Sequence, residues 1–250
     1  MKFKKFVAVA MLFVFAACAF TGCGKKAEEN VIKVATNATF PPYEFYENEK
    51  PVGIDVEIVQ AIADKIGYKM DFTDMEFGSI IPAVQSGKID LGFGAVTVTE
   101  DRKKSVHFTS SYATGIQSVI VKEDSAIASI DDLYGENIKI GVQQDTTGDI
   151  YSTDDFGEDH VVRFLKGADA VNALNSGKVD AVIIDDSPAK TFVSQNQGLK
   201  ILPTAYAEEE YAFMCSYDNE ELYNKVNAAL EELLADGTVQ SIVDKYIKAE

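Results

Sequence analysis

The chain has 250 residues, 46% of them apolar, with 23 Lys and Arg against 40 Asp and Glu for a formal net charge of −17. That length can bury one large core or two lobes of about 100 residues each. The acidity disfavours nucleic acid and anionic membrane surfaces as partners.

Lys2, Lys4 and Lys5 precede an apolar run from Phe6 to Phe20, and Thr21-Gly22-Cys23 follows. A positive start, a short apolar stretch and small residues before a cleavage point predict a signal peptide over residues 1–22. The run is shorter than the roughly 20 apolar residues a spanning helix needs. The tripeptide ending in Cys23 resembles a bacterial lipobox, with Ala16-Ala17-Cys18 as a weaker second match. Cys23 is therefore the expected lipidation site, residues 23–30 a polar tether, and the chain an extracytoplasmic protein held to the membrane by lipid. Processing would leave 20 basic and 40 acidic residues, a net charge of −20, and Cys215 without a disulfide partner. Cys215, in the apolar run Tyr211 to Cys215, reads as a buried core thiol.

Val31 to Thr36 reads as a strand, followed by a loop from Asn37 to Tyr46 that Pro41-Pro42 keeps from being helical. A helix over Val56–Ile66 stops at Gly67, and a strand over Tyr68–Phe72 follows. Phe77-Gly78-Ser79 opens a helix that ends at Ser86-Gly87, and a strand begins at Ile89. This order, βαβαβ, implies a parallel sheet with right-handed crossovers. His107 to Val121 is a long extended segment, Asp131 to Gly135 a helical turn, and Asn137 to Val142 a strand. Gln143 to Gly148 is a loop leading into a helix. A strand over Val161–Leu165, a helix over Asp169–Asn175 and a strand over Val179–Ile184 come next. Tyr211 to Ser216 is a second extended crossing, before helices over Glu220–Ala235 and Val239–Ile247.

The two halves echo each other. Ile32-Lys33-Val34 recurs as Ile138-Lys139-Ile140, and Ser86-Gly87-Lys88-Ile89-Asp90 as Ser176-Gly177-Lys178-Val179-Asp180. Two matching elements in the same order favour two similar α/β lobes over chance repetition of a helix-to-strand turn.

Facing lobes would line one crevice with their strand exits, where ligands of open α/β sheets bind. Gly92 to Lys104 (GFGAVTVTEDRKK) offers a glycine-thinned backbone, the hydroxyls of Thr97 and Thr99, and the Arg102 guanidinium, a planar fork that fits a carboxylate. The competing reading of that stretch is a surface turn whose arginine pairs with Glu100 or Asp101. Thr147, near a helix N-terminus, suits an anion. Asp185, after an apolar strand, suits an ammonium or caps the following helix. Arg102 and Asp185 together suit a zwitterion, and Phe40 and Phe77 would form an apolar slot for its side chain or pack as core.

ATNATFPPYEF, VGIDVEI, IIPAVQSGKIDLGFGAVTVTEDRKKSVHFTSSY, IGVQQDTTG and VDAVIIDDSPA together resemble the bacterial extracellular solute-binding proteins of family 3, the polar amino-acid receptors of ABC importers. The likeness includes glutamine-binding and lysine/arginine/ornithine-binding members and spans essentially the whole processed chain. It implies a periplasmic-binding-protein-like type II α/β fold, two lobes joined by a two-strand hinge with the ligand cleft between them. Lobe 1 would comprise residues 31–111 and 212–250, and lobe 2 residues 112–211.

The ligand-binding residues the resemblance implies are Asn37, Phe40, Phe77, Gly94, Ala95, Thr97, Arg102, Gln143, Thr147 and Asp185. Arg102 would clamp the ligand's α-carboxylate with help from Thr97 and Thr147, Ala95 would contribute a backbone group, and Asp185 would take the α-ammonium. Asn37 departs from the aspartate often found there in glutamine and basic-residue binders. It favours a polar neutral ligand such as glutamine, although Glu44 or Glu76 could supply the charge for arginine or lysine.

The implied function is capture of a free L-amino acid by a monomeric, lipid-tethered receptor that delivers it to ABC permease subunits, with no catalysis, cofactor, metal or nucleic acid involved. The alternatives are an exported enzyme on the same fold, such as an aromatic-acid (cyclohexadienyl) dehydratase, or a ligand sensor. His107 and His160, the only histidines, sit in no triad or metal-binding spacing.

Overall fold

The computed structural model describes residues 30–247, so the expected signal peptide and the lipidation site at Cys23 lie outside the described residues. The elements in chain order are β1 Val31–Thr36, β2 Thr39–Phe40, β3 Glu44–Glu47, β4 Lys50–Val52, α1 Ile54–Ile66, β5 Lys69–Asp74, α2 Phe77–Gln85, β6 Leu91–Gly92, α3 Glu100–Lys103, β7 His107–Phe108 and β8 Ala113–Lys122. A 3₁₀ turn at Ile130–Tyr134 precedes β9 Ile140–Gln143 and α4 Thr147–Phe156. After a second 3₁₀ turn come β10 Val161–Phe164, α5 Gly167–Asn175, β11 Ala181–Asp185, α6 Asp186–Gln195, β12 Leu199–Ile201, β13 Ala207–Tyr211, β14 Met214–Cys215, α7 Glu220–Ala235 and α8 Thr238–Tyr246.

Two mixed sheets organise these elements. The first runs β5-β1-β6-β14-β7 and the second β10-β9-β11-β8-β12, with β13 also paired to β8. Both orders follow one plan: three parallel strands, then an antiparallel strand belonging to a crossing segment, then an edge strand. The chain passes between lobes along β8 and β13, which pair antiparallel from Ala113 opposite Tyr211 to Gln117 opposite Ala207. This is the two-lobed, two-strand-hinge architecture of type II binding proteins.

The echo in the sequence is an echo in bonding. In the first lobe the Lys33 amide donates to Asp90 Oδ2 at 2.8 Å, and the Asp90 amide returns a bond to the Lys33 carbonyl. In the second lobe the Lys139 amide donates to Asp180 Oδ2 at 2.8 Å, and the Asp180 amide donates to the Lys139 carbonyl. Gly87 and Gly177, at φ of 69° and 72°, turn the chain out of the preceding helix in both. Each Ser-Gly-Lys-x-Asp unit thus ties a helix exit to one of the parallel strands of its own sheet, β1 in the first and the start of β9 in the second.

Buried side chains on both sheets explain why these segments are ordered. Ile58 and Ile62 of α1 are fully buried in one cluster with Ile32, Val34 and Leu91, and each such aliphatic side chain contributes about 1.5–3 kcal/mol. Val119, Val142 and Ile183 do the same in the second lobe against Leu133 and Phe156. At Gly53, with φ 128°, a Cβ would lie 2.2 Å from the Tyr43 carbonyl oxygen, so only glycine fits where α1 starts against the aromatic loop.

Several expected boundaries shift. The Asn37–Tyr46 loop contains β2 and the start of β3, which form a small three-stranded sheet with β4. The strand expected from Ile89 begins at Leu91, because Ile89 and Asp90 complete the turn. The two extended crossings are each broken in two, at residues 109–112 and 212–213, where the chain changes sheets. Strand β12 was not expected, and helix α6 was foreseen only in the reading of Asp185 as its cap. The segment DDSPAKTFVSQNQ lacks a continuous apolar period, and its Pro188 sits in the first turn, where a missing N–H costs nothing.

Candidate ligand-binding cavity

Between the lobes lies a cavity lined by residues from both. All ten residues expected at the site line it, together with Glu44 and Thr146. The lobes meet around it. Gln143 Nε2 donates to Asn37 Oδ1 at 3.2 Å, the Thr97 and Thr147 hydroxyls lie 3.2 Å apart, and Arg102 Nη2 reaches the Asp145 carbonyl at 3.1 Å.

Arg102 belongs to α3, a single helical turn whose N-cap, Thr99, accepts a bond from the Arg102 amide. Its neighbours Glu100 and Asp101 pair with Lys103 and Lys104 and leave the arginine to turn inward. The guanidinium is buried. Nη1 donates to the Thr97 carbonyl at 2.9 Å, and the group lies 5.6 Å from the centroid of the Phe77 ring. Burial lowers its pKa, opposed mainly by the negative charge of Glu209, and arginine stays protonated through such shifts.

The Gly94-Ala95 turn has φ values of 142° and 46°, a conformation that glycine tolerates and alanine adopts only under constraint. The constraint is Asp55. Its Oδ2 accepts the Gly94 and Ala95 amides at 3.2 and 2.9 Å, and its carboxyl accepts the Tyr112 hydroxyl at 2.6 Å. With both N–H groups committed, the carbonyls of this turn are the groups it can offer a ligand.

Asp55 is fully buried, and burial pushes its pKa up to about 6 against the lowering effect of those three donors. An acid whose folded pKa is raised stabilises the fold fully below its unfolded value, and that stability is lost as pH rises through the folded value. We expect Asp55→Asn, which keeps an acceptor for both amides, to gain on wild type by up to on the order of 3 kcal/mol as pH rises from 4 to 7. Urea unfolding of the two ligand-free proteins across that range checks this; parallel pH profiles would refute it.

From the second lobe, Thr146 caps α4 and Thr147 begins it, so the first amides of a ten-residue helix face the cleft beside a hydroxyl. Asp185 occupies the N-cap position of α6 but makes no capping bond. Its carboxyl instead lines the cavity and accepts from Gln117 Nε2. Burial, then the nearby Glu209 charge, hold Asp185 well above the usual carboxylate range.

Asn37 lines the cavity with its amide already engaged. Nδ2 donates to the Met75 carbonyl at 2.9 Å, and Oδ1 accepts from Thr39 Oγ1 at 2.7 Å as well as from Gln143. Glu44, weighed from sequence as a substitute charge, is 1% exposed with Oε2 unpartnered. Burial and the charges of Asp55 and Asp185 raise its pKa. Gln143 Oε1 is a second buried acceptor without a partner. Asp55, Gln117 and Glu209 were not singled out from the sequence. The one available signal was Asp55, an acid opening the apolar helix of VGIDVEI.

Two α/β lobes closed on a cavity that carries a buried cation from one lobe and a carboxyl group from the other define a solute-binding protein. The chain belongs to the bacterial extracellular solute-binding proteins, family 3, whose family model matches residues 32–249. It is 30% identical over 249 residues to the arginine-binding extracellular protein ArtP of Bacillus subtilis (strain 168), covering 98% of this chain and 96% of that protein. Among solved structures, an ancestral arginine-binding protein bound to glutamine superposes with a TM-score of 0.82 at 39% identity, covering 88% of this chain and 99% of the other. The ancestral amino acid-binding protein AncCDT-1, a precursor of cyclohexadienyl dehydratase, superposes with a TM-score of 0.79 at 30% identity, over 88% and 96% of the two chains. The dehydratase alternative thus meets a structural relative that is itself a binder. Among the described residues no helix is long and apolar enough to cross a membrane.

Proposed function

We propose that this protein is the receptor of an ABC importer and captures a free L-amino acid whose side chain ends in N–H donors, with arginine first and glutamine second. The charge pattern of the cavity carries the reading. Arg102 from one lobe meets a carboxylate, Asp185 from the other meets an ammonium, and Glu44 Oε2 and Gln143 Oε1 remain as buried acceptors awaiting donors. A buried acceptor left unpaired costs about 1–3 kcal/mol, so a donor-rich side chain gains by entering. Glutamine stays as the second reading because Asn37 brings no charge to the site, and the ancestral relative was solved with that ligand.

A ligand that contacts both lobes stabilises the closed state by its differential contacts, and closure would form the surface a permease reads. The lobe boundaries belong to the same proposal: 31–111 with 212–250, and 112–211, supported by the sheet each segment joins. So does the lipid anchor at Cys23, which the intact mass of membrane-extracted protein tests.

Calorimetric titration with arginine, lysine, glutamine and histidine tests the ligand. Burial raises the Glu44 pKa in the empty cavity, and a guanidinium beside it would favour the ionised form. Arginine affinity is therefore expected to tighten with rising pH more steeply than glutamine affinity. Glu44→Gln is expected to weaken arginine binding by about tenfold or more and glutamine binding by less. Equal losses for both ligands would remove Glu44 from side-chain recognition and arginine from first place.

A further inference from the structure

Gln117 stands out as a buried polar side chain that the fold does not need. It is 2% exposed on hinge strand β8, two and four residues before the fully buried Val119 and Val121. Its Oε1 has no partner, which makes it more costly there than an apolar residue of the same size. Strand register places Gln117 opposite Asp185 of β11 on one side and Ala207 of β13 on the other, with Glu209 two residues further along β13. Its Nε2 donates to Asp185 Oδ1 and also to Glu209 Oε2, the latter at 2.9 Å. Glu209 is 5% exposed, and its other oxygen is unpartnered.

We infer that Gln117 is the positioning residue of the amine subsite, its amide holding the Asp185 carboxylate toward the cavity, with Glu209 behind it as a second carboxylate on the same amide. The inference rests on Asp185 receiving the ligand's α-ammonium. Without that amide the nearby Glu209 charge would act on Asp185 unopposed and favour its protonated form. A protonated or rotated Asp185 offers an ammonium much less. The other groups around Asp185 are Arg102 from α3, Glu44 from β3, Asp186 on α6, and the Tyr43 and Tyr211 hydroxyls. Of these only Arg102 is cationic, and in the occupied site its guanidinium is assigned to the ligand's carboxylate.

The test compares each amino acid with the analogue lacking only its α-ammonium: arginine with 5-guanidinopentanoate, glutamine with glutaramate. Dissociation constants are measured for wild type, Gln117→Met and Glu209→Gln from pH 5 to 9. In Gln117→Met the preference for the amino acid over its analogue should fall by about tenfold or more, with analogue binding little changed. In Glu209→Gln the preference should persist, and the pH below which amino-acid binding weakens should move down, because a negative charge that favours the Asp185 proton is gone. The Glu209 variant decides the question if Gln117→Met fails to fold.

A wild-type-like preference in Gln117→Met, equal weakening of both compounds, or an unmoved pH profile in Glu209→Gln would overturn the inference while leaving the receptor assignment intact. A wild-type protein that binds amino acid and analogue equally, or neither, would overturn the amine subsite itself and this inference with it.

Discussion

Arg102→Met is expected to raise the dissociation constant for the amino-acid ligand by two to three orders of magnitude, about 3–4 kcal/mol. The guanidinium is buried, aimed by the Thr97 and Asp145 carbonyls and backed by the Phe77 ring, so its remaining donors are held in place before a ligand arrives. Methionine fills similar space and donates nothing, which leaves a ligand carboxylate buried and poorly paired. Arg102→Lys should rescue little, since an ammonium on a flexible stem cannot present the planar fork. Because Arg102 also bridges to the second lobe through Asp145, the variant should close less readily. Small-angle scattering with saturating ligand would then report a larger radius than for wild type. Affinity within a few-fold of wild type in Arg102→Met would remove Arg102 from the site.

Asp185→Asn should pull affinity and stability in opposite directions. The carboxyl is buried near Glu209 and Glu44, so the empty protein stores repulsion and desolvation there. Neutralising it should leave the ligand-free Tm unchanged or raise it by a few degrees, as when a strained functional group is relaxed. The ligand's ammonium loses its counter-charge, and the dissociation constant should rise by about tenfold to a thousandfold. Paired measurement of Tm and Kd makes the test. A variant that loses Tm and keeps its affinity would mark Asp185 as a structural cap residue after all.

Much of the site was legible because its polar residues fall at the ends of strands whose apolar character is local. Arg102, Thr97, Thr147 and Asp185 each follow a recognisable strand or open a helix, and strand exits converge on clefts in open α/β sheets. Asn37 shows where that legibility stops. Its position at the end of β1 was clear, yet its amide is directed by Met75 and Gln143, which are 38 and 106 residues away. Glu44, Gln117 and Glu209 look like ordinary polar residues in the chain. Only the meeting of the hinge strands with β11, and of the aromatic loop with the cavity, takes them out of water. The short strands β6 and β14 were equally hard to delimit, since two residues become a strand only by pairing with neighbours distant in sequence.

The amino-acid sequence by itself determined the secondary-structure types of the main elements, the duplicated α/β plan and the chemistry of the clamp, because periodicity, turn residues and residue type are local properties. Tertiary structure alone decided which polar groups are spent on the protein and which remain for a ligand. The Asn37 amide is used internally, the Gly94 and Ala95 amides belong to Asp55, and Glu44 Oε2 is left unpaired. Burial and hydrogen-bond partnership are relations between distant segments, and they set both the charge state and the free valences of the cavity.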